Sequence, residues 1–123
     1  MDMDTFESVV IEALDTLPPE FARHMANVEV QIAPRPTREH RRMVGLKPWQ
    51  TLYGLYQGVP LTRRTSAYGA VPPDKISLYR GPLERRFGAD PEQLCAAVRH
   101  VVLHEIAHHF GISDERLVEL DRY

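Results

Sequence analysis

The stretch from Asp90 to Asp114, DPEQLCAAVRHVVLHEIAHHFGISD, limits the fold more than any other. Asp90 is a strong helix N-cap, and Pro91 stands at the first helical position, where its missing N–H costs nothing. Gly111 can end the helix in a left-handed conformation that side-chain-bearing residues disfavour. The residues between them, Pro91 to Phe110, are predicted as one long helix. Leu94, Ala97, Val98, Val101, Val102, Leu103, Ile106, Ala107 and Phe110 leave its second half apolar nearly all round, so that half is expected to be buried. The same turns carry His104, Glu105 and His108. Three ionisable side chains in a buried setting are costly unless something engages them.

A divalent ion would engage them. Residues four apart share a helix face, so His104 and His108 present two imidazoles about 6 Å apart along the axis. That spacing offers two nitrogen ligands to one zinc ion, Zn2+. Glu105 is rotated about 100° from His104, within reach of a zinc-bound water but not placed beside the two histidines as a ligand. A general base needs that position. A catalytic zinc takes three protein ligands, and Asp114 is the first carboxylate after the Gly111 turn. Asp114 is therefore the expected third ligand, with Glu119 and Glu115 on the following helix as competitors. His100 extends the stripe but lies about 12 Å from His108 along the axis, too far to share one ion. His109 faces elsewhere and reads as structural. His24 and His40 carry no readable signal.

The rest of the chain supplies a support for this helix. Phe6, Val9, Val10, Ala13, Leu14 and Leu17 follow the helical period, predicting a helix over about 4–17 that Pro18-Pro19 stops. A short helical turn is expected near 20–25. Val28–Ile32 alternates apolar and polar, as a half-buried strand does. From Ala33 to Pro48 the chain is basic and poor in apolar residues, which reads as a loop. Thr51–Gln57 reads as a strand, with Gly54 marking a bulge or a close backbone approach. Arg63–Pro73 reads as another loop. Lys75–Arg80 reads as a third strand, closed by Gly81-Pro82. Ser113 can cap a last helix from Asp114 to about Asp121, with Leu117 packing back.

At 123 residues the chain is expected to form a single domain, residues 1–123. The fold class is α+β: a small three- to four-stranded sheet packed against an N-terminal helix and the buried motif helix. The lone cysteine, Cys95, excludes an internal disulfide. The acidic start, Met1 to Glu7, lacks the basic and apolar regions of a secretory signal, and no apolar run is long enough to span a membrane. These features point to a cytoplasmic protein with no membrane partner. Charge is uneven: residues 1–32 hold seven acids and one base, residues 33–66 seven bases and one acid. The basic middle could attract nucleic acid or an acidic peptide, but a solvated loop balancing the acidic helix is the favoured reading.

Read as H-E-x-x-H-x-x-G-x-x-D, the motif resembles that of the small bacterial zincin-like metallopeptidases, or minimal zincins. Tyr53–Arg63 (YGLYQGVPLTR) and Ile76–Glu84 (ISLYRGPLE) resemble stretches of the same family, and the likeness runs from about Phe21 onward. The extension is also similar to the metzincins that use aspartate as third ligand, although no Met follows Asp114 to build their Met-turn. The resemblance implies a zinc-dependent peptidase of zincin-like fold acting on peptides or unfolded proteins. It also implies an edge strand that binds substrate by strand addition. Ile76–Arg80 is the candidate for that edge, with Ile76, Leu78 and Tyr79 as substrate-binding residues. Tyr68, Tyr79 and Tyr123 are candidates to help stabilise the oxyanion. Two alternatives stand beside this reading. One is a metal-dependent endoribonuclease using the basic segment, although nucleic acid is not the expected partner. The other is a non-catalytic metal-binding interaction module.

Overall fold

The computed structural model describes residues 1–58 and 73–121, with the side chains of Asp114, Leu120 and Asp121 outside the described set. Helix α1 (Met3–Asp15) starts where the Asp2 carboxylate accepts the Thr5 N–H at 2.8 Å. Its buried stripe is Phe6, Val9, Val10 and Ala13. After Pro18 the chain makes a single turn, α2 (Pro19–Ala22), and a tighter turn over Arg23–Asn27. Strand β1 (Val28–Ala33) follows.

The basic segment, expected as loop, contains helix α3 (Arg38–Met43). Thr37 caps it by accepting the His40 N–H at 3.0 Å. None of its residues is buried, so no apolar stripe announces it. Strand β2 (Gly54–Gln57) is shorter than the expected Thr51–Gln57, although the Tyr53 carbonyl still accepts the Tyr79 N–H at 2.9 Å. The expected loop over Arg63–Pro73 lies outside the described residues except for Pro73.

Strand β3 (Asp74–Tyr79) runs straight into helix α4 (Arg80–Phe87). Gly81-Pro82 therefore opens a helix instead of ending a strand. A proline in the first turn loses no hydrogen bond, because the first four N–H groups have no partner inside the helix. The long helix, α5 (Pro91–Phe110), matches expectation at both ends: Asp90 Oδ1 accepts the Glu92 N–H, and Gly111 adopts φ 69°. Helix α6 (Asp114–Asp121) is capped by Ser113 Oγ, which accepts the Arg116 N–H at 3.2 Å. Arg116 also pairs with Glu20 at 3.1 Å, tying α6 back to α2.

The three strands form one mixed sheet in the order β1-β3-β2, with β1 parallel and β2 antiparallel to β3. Helix α5 is the hub, touching α1, α4, α6, β2 and β3. Phe6, Phe21, Ile76, Leu78, Leu83, Leu94, Val98, Val102, Leu103 and Ile106 are completely buried around it. Each such side chain stabilises the fold by about 1.5–3 kcal/mol relative to exposure. Burial of α5 is less complete than its sequence suggested. It ends at Ala107, and His108, His109 and Phe110 are exposed. The last turn of the helix projects past the layer that covers the rest.

Candidate active site

The site lies where α5 passes the outer edge of β2. Added to Gly54, a Cβ would stand 2.6 Å from Val101 Cγ1 and 3.1 Å from the Ser77 carbonyl. Only a glycine lets the strand come so close, as its place within a strand pattern suggested. Two residues on, the Tyr56 N–H donates to Glu105 Oε1 at 2.9 Å. Two further on, Gly58 faces the His109 ring. Strand and helix thus run side by side in one direction: two strand residues span about 6.8 Å and four helix residues about 6 Å, so the match persists. The Tyr79–Tyr53 bond and the β2–β3 register put Gly54 and Tyr56 at positions whose N–H and C=O point away from β3. The outer rim of β2 is therefore turned towards Glu105.

Glu105 is half-buried. Burial pushes its carboxyl above the ordinary range, opposed by the Tyr56 N–H and by the nearby His108. The amide bond uses one of about four acceptor sites on the carboxylate, leaving capacity for a water. His104 is half-buried and His108 exposed. Their ring centres are 6.4 Å apart and the rings nearly perpendicular. For both rings to hold one zinc, their side chains would have to turn so that a nitrogen of each faces the same point. The donor chemistry thus fits zinc, with two imidazoles on one helix face and a carboxylate still to be added. Among the described residues no group of three His, Cys, Asp or Glu is placed to hold a metal ion. The Asp114 side chain lies outside the described residues. Its backbone begins α6 directly after the Gly111 turn. Glu119 is turned elsewhere, its carboxylate 2.9 Å from Arg116 and two-thirds exposed. His100 lies against His104, ring centres 4.0 Å apart.

The expected substrate edge needs correction. Ile76, Leu78 and Tyr79 lie on β3, the central strand, paired on both sides and all buried. A strand with both neighbours in place cannot accept a third. The edge beside the motif helix is β2. Tyr79 is also not an open oxyanion donor: it is 1% exposed, and its hydroxyl stands 3.0 Å from His40 Nδ1. Burial and the charge of Glu105 push its phenol up, so it keeps its proton. Tyr68 and Tyr123 lie outside the described residues.

Three participants had no signal in the sequence. The Tyr56 hydroxyl donates to Asp74 Oδ2 at 2.6 Å, and its ring stacks on His109 with centres 4.1 Å apart. Asp74, 7% exposed, thereby helps hold the strand that meets Glu105. His40, from α3, reaches both Tyr79 and the Gln57 amide, the latter at 3.4 Å. These are contacts between residues far apart in the chain, and no local pattern encodes them. No helix among the described residues is long and apolar enough to cross a membrane.

Comparison with known proteins adds one finding. A family model described as zincin-like metallopeptidase matches residues 25–123, most of the chain. No curated protein matches it.

Proposed function

The chain belongs to the zincin-like metallopeptidase family, and on that premise we propose that it hydrolyses peptide bonds, with Glu105 as general base and His104, His108 and Asp114 as zinc ligands. The observation that supports this most is the meeting of three parts. The base, the imidazole pair and the outer rim of an edge strand all lie within one stretch of α5 and β2. A zinc ion bound there supplies Lewis acidity and a water acidic enough to ionise near neutral pH.

The protein's own groups do the rest. An extended peptide lies beside the exposed last turn of α5, with its scissile bond next to Glu105. Glu105 takes a proton from the attacking water and returns it to the departing amine nitrogen. Its raised affinity for protons suits a group that must hold one between these events. The Tyr56 N–H keeps the carboxylate from swinging away, and the Tyr56–Asp74 bond steadies that N–H in turn.

The test is Glu105→Gln. The variant is expected to bind one zinc per chain by elemental analysis and to lose hydrolysis of a peptide library by mass spectrometry. Turnover equal to the parent would remove Glu105 from the mechanism.

A further inference from the structure

Moving along α5 from Glu105 towards its start, the helix opens onto a cavity of about 530 Å³. Val101, Ala97 and Ala96 form its floor, Tyr53 and Phe87 its walls, and His100 the end nearest His104. The lining is mainly apolar. Arg86 stands at the rim, its guanidinium donating to the Tyr53 hydroxyl at 3.2 Å and lying 5.4 Å over the Phe87 ring.

The neighbouring residues Leu52 and Arg85 belong to a second cavity, of about 360 Å³, which also takes in Arg35, Arg41 and Trp49. This one is mainly polar. Arg41 builds its wall by donating to the carbonyls of Lys47, Pro48 and Gln50. Trp49 is 76% exposed. The described lining of the two cavities contains four arginines and no Asp or Glu. The basic middle of the sequence is therefore not only a solvated counterweight to α1. Part of it lines the second cavity, whose Leu52 and Arg85 are chain neighbours of Tyr53 and Arg86 in the first.

We propose that the two cavities together form a trough that selects the substrate. The preferred peptide carries a bulky apolar side chain close to the bond that is cut, with Asp or Glu residues further out on the same side. The proposal rests on the peptidase reading. Its spacing follows from the helix. Val101 and Ala97 lie about 6 and 12 Å along the axis from Glu105. An extended peptide covers that distance in about two to four residues. The apolar residue belongs in that interval and the acids beyond it, where Arg86 and Arg85 begin. A guanidinium that already shares a tyrosine hydroxyl and an aromatic face is held in place, so it loses less freedom on pairing with a carboxylate than a free arginine would.

The experiment uses the full-length, zinc-loaded protein and two peptides. One carries Phe-Gly-Asp-Asp beside the cleavable bond, the other Phe-Gly-Lys-Lys. The same fluorescein-labelled pair is titrated against Glu105→Gln by anisotropy, which reads binding without chemistry. The Asp peptide is expected to bind about tenfold more tightly than the Lys peptide, with the same order in kcat/KM. Arg86→Glu is expected to abolish or invert that preference. Ala96→Leu, an exposed position on the cavity floor, is expected to weaken the Phe peptide relative to one with Ala in its place. Equal binding of the two peptides, or an unchanged preference in Arg86→Glu, would overturn the proposal. Tighter binding of an oligouridylate than of either peptide would also overturn it, since the basic trough would then be a nucleic-acid surface. Binding with the expected preference but no hydrolysis would support the trough and remove the peptidase reading. Hydrolysis without preference would do the reverse.

Discussion

Gly54→Ala tests the close approach on which the site depends. The added methyl would stand 2.6 Å from Val101 Cγ1 and 3.1 Å from the Ser77 carbonyl. Carbon atoms settle at about 3.5–4.0 Å, so β2 or Val101 must move by about 1 Å. Overpacking of this kind costs about 1–3 kcal/mol. Replacing glycine also stiffens the unfolded chain, which returns about 0.4–1 kcal/mol where the backbone suits alanine. The expected net loss is about 1–2 kcal/mol, a drop in Tm of roughly 3–8 °C. Urea unfolding followed by circular dichroism measures it. The displaced strand also carries the Tyr56 N–H away from Glu105, so amide exchange at Tyr56 is expected to speed up more than at Leu55. Val101→Ala removes the atom that clashes. Combined with Gly54→Ala it is expected to restore stability beyond additivity, with a coupling of about 1 kcal/mol. A Gly54→Ala protein as stable as the parent, with no coupling to position 101, would refute the side-by-side packing of β2 and α5.

Other outcomes follow from single contacts. Tyr56→Phe keeps the ring stacked on His109 but deletes the bond to the buried Asp74 carboxylate, and is expected to cost about 1.5–3 kcal/mol in urea unfolding. Burial, helped by Glu12 and opposed by Arg99, pushes the Cys95 thiol up, so alkylation by iodoacetamide at pH 8 is expected to run slower in the folded protein than in urea. The sign for stability follows: the folded state holds the thiol proton more tightly than the unfolded chain. This contribution is therefore full below the ordinary thiol range near about 8.5 and is lost as pH rises above it. Cys95→Ser is expected to flatten that alkaline fall, measured as urea midpoints across pH.

Local chemistry made α5 readable from the sequence, because caps, a first-turn proline and a terminal glycine act within a few residues. The same holds for α1 and for the Ser113 cap of α6. Helix α3 was not readable, because Arg38–Met43 buries no side chain and is fixed by the Thr37 cap instead of by an apolar face. The sheet order was hidden for another reason. Residues 75–79 alternate as a half-buried edge strand would, yet Ser77 and Tyr79 are buried together with Ile76 and Leu78. Ile76 and Leu78 pack in the core with α5 and Tyr79 reaches His40 of α3, long-range facts absent from the local pattern. The strand that carries Ile76, Leu78 and Tyr79 is accordingly central and not an edge. Of the site, the helical spacing of His104, Glu105 and His108 was legible, whereas the grip of Tyr56 and Asp74 was not.

Anomalous X-ray scattering at the zinc absorption edge, from crystals of the zinc-loaded protein, tests the central claim most directly. The account predicts one peak bonded to His104, His108 and Asp114, with Glu105 outside bonding distance and a solvent oxygen in the open position. A peak bonded by Glu105, or one placed away from the His104–His108 pair, would contradict it.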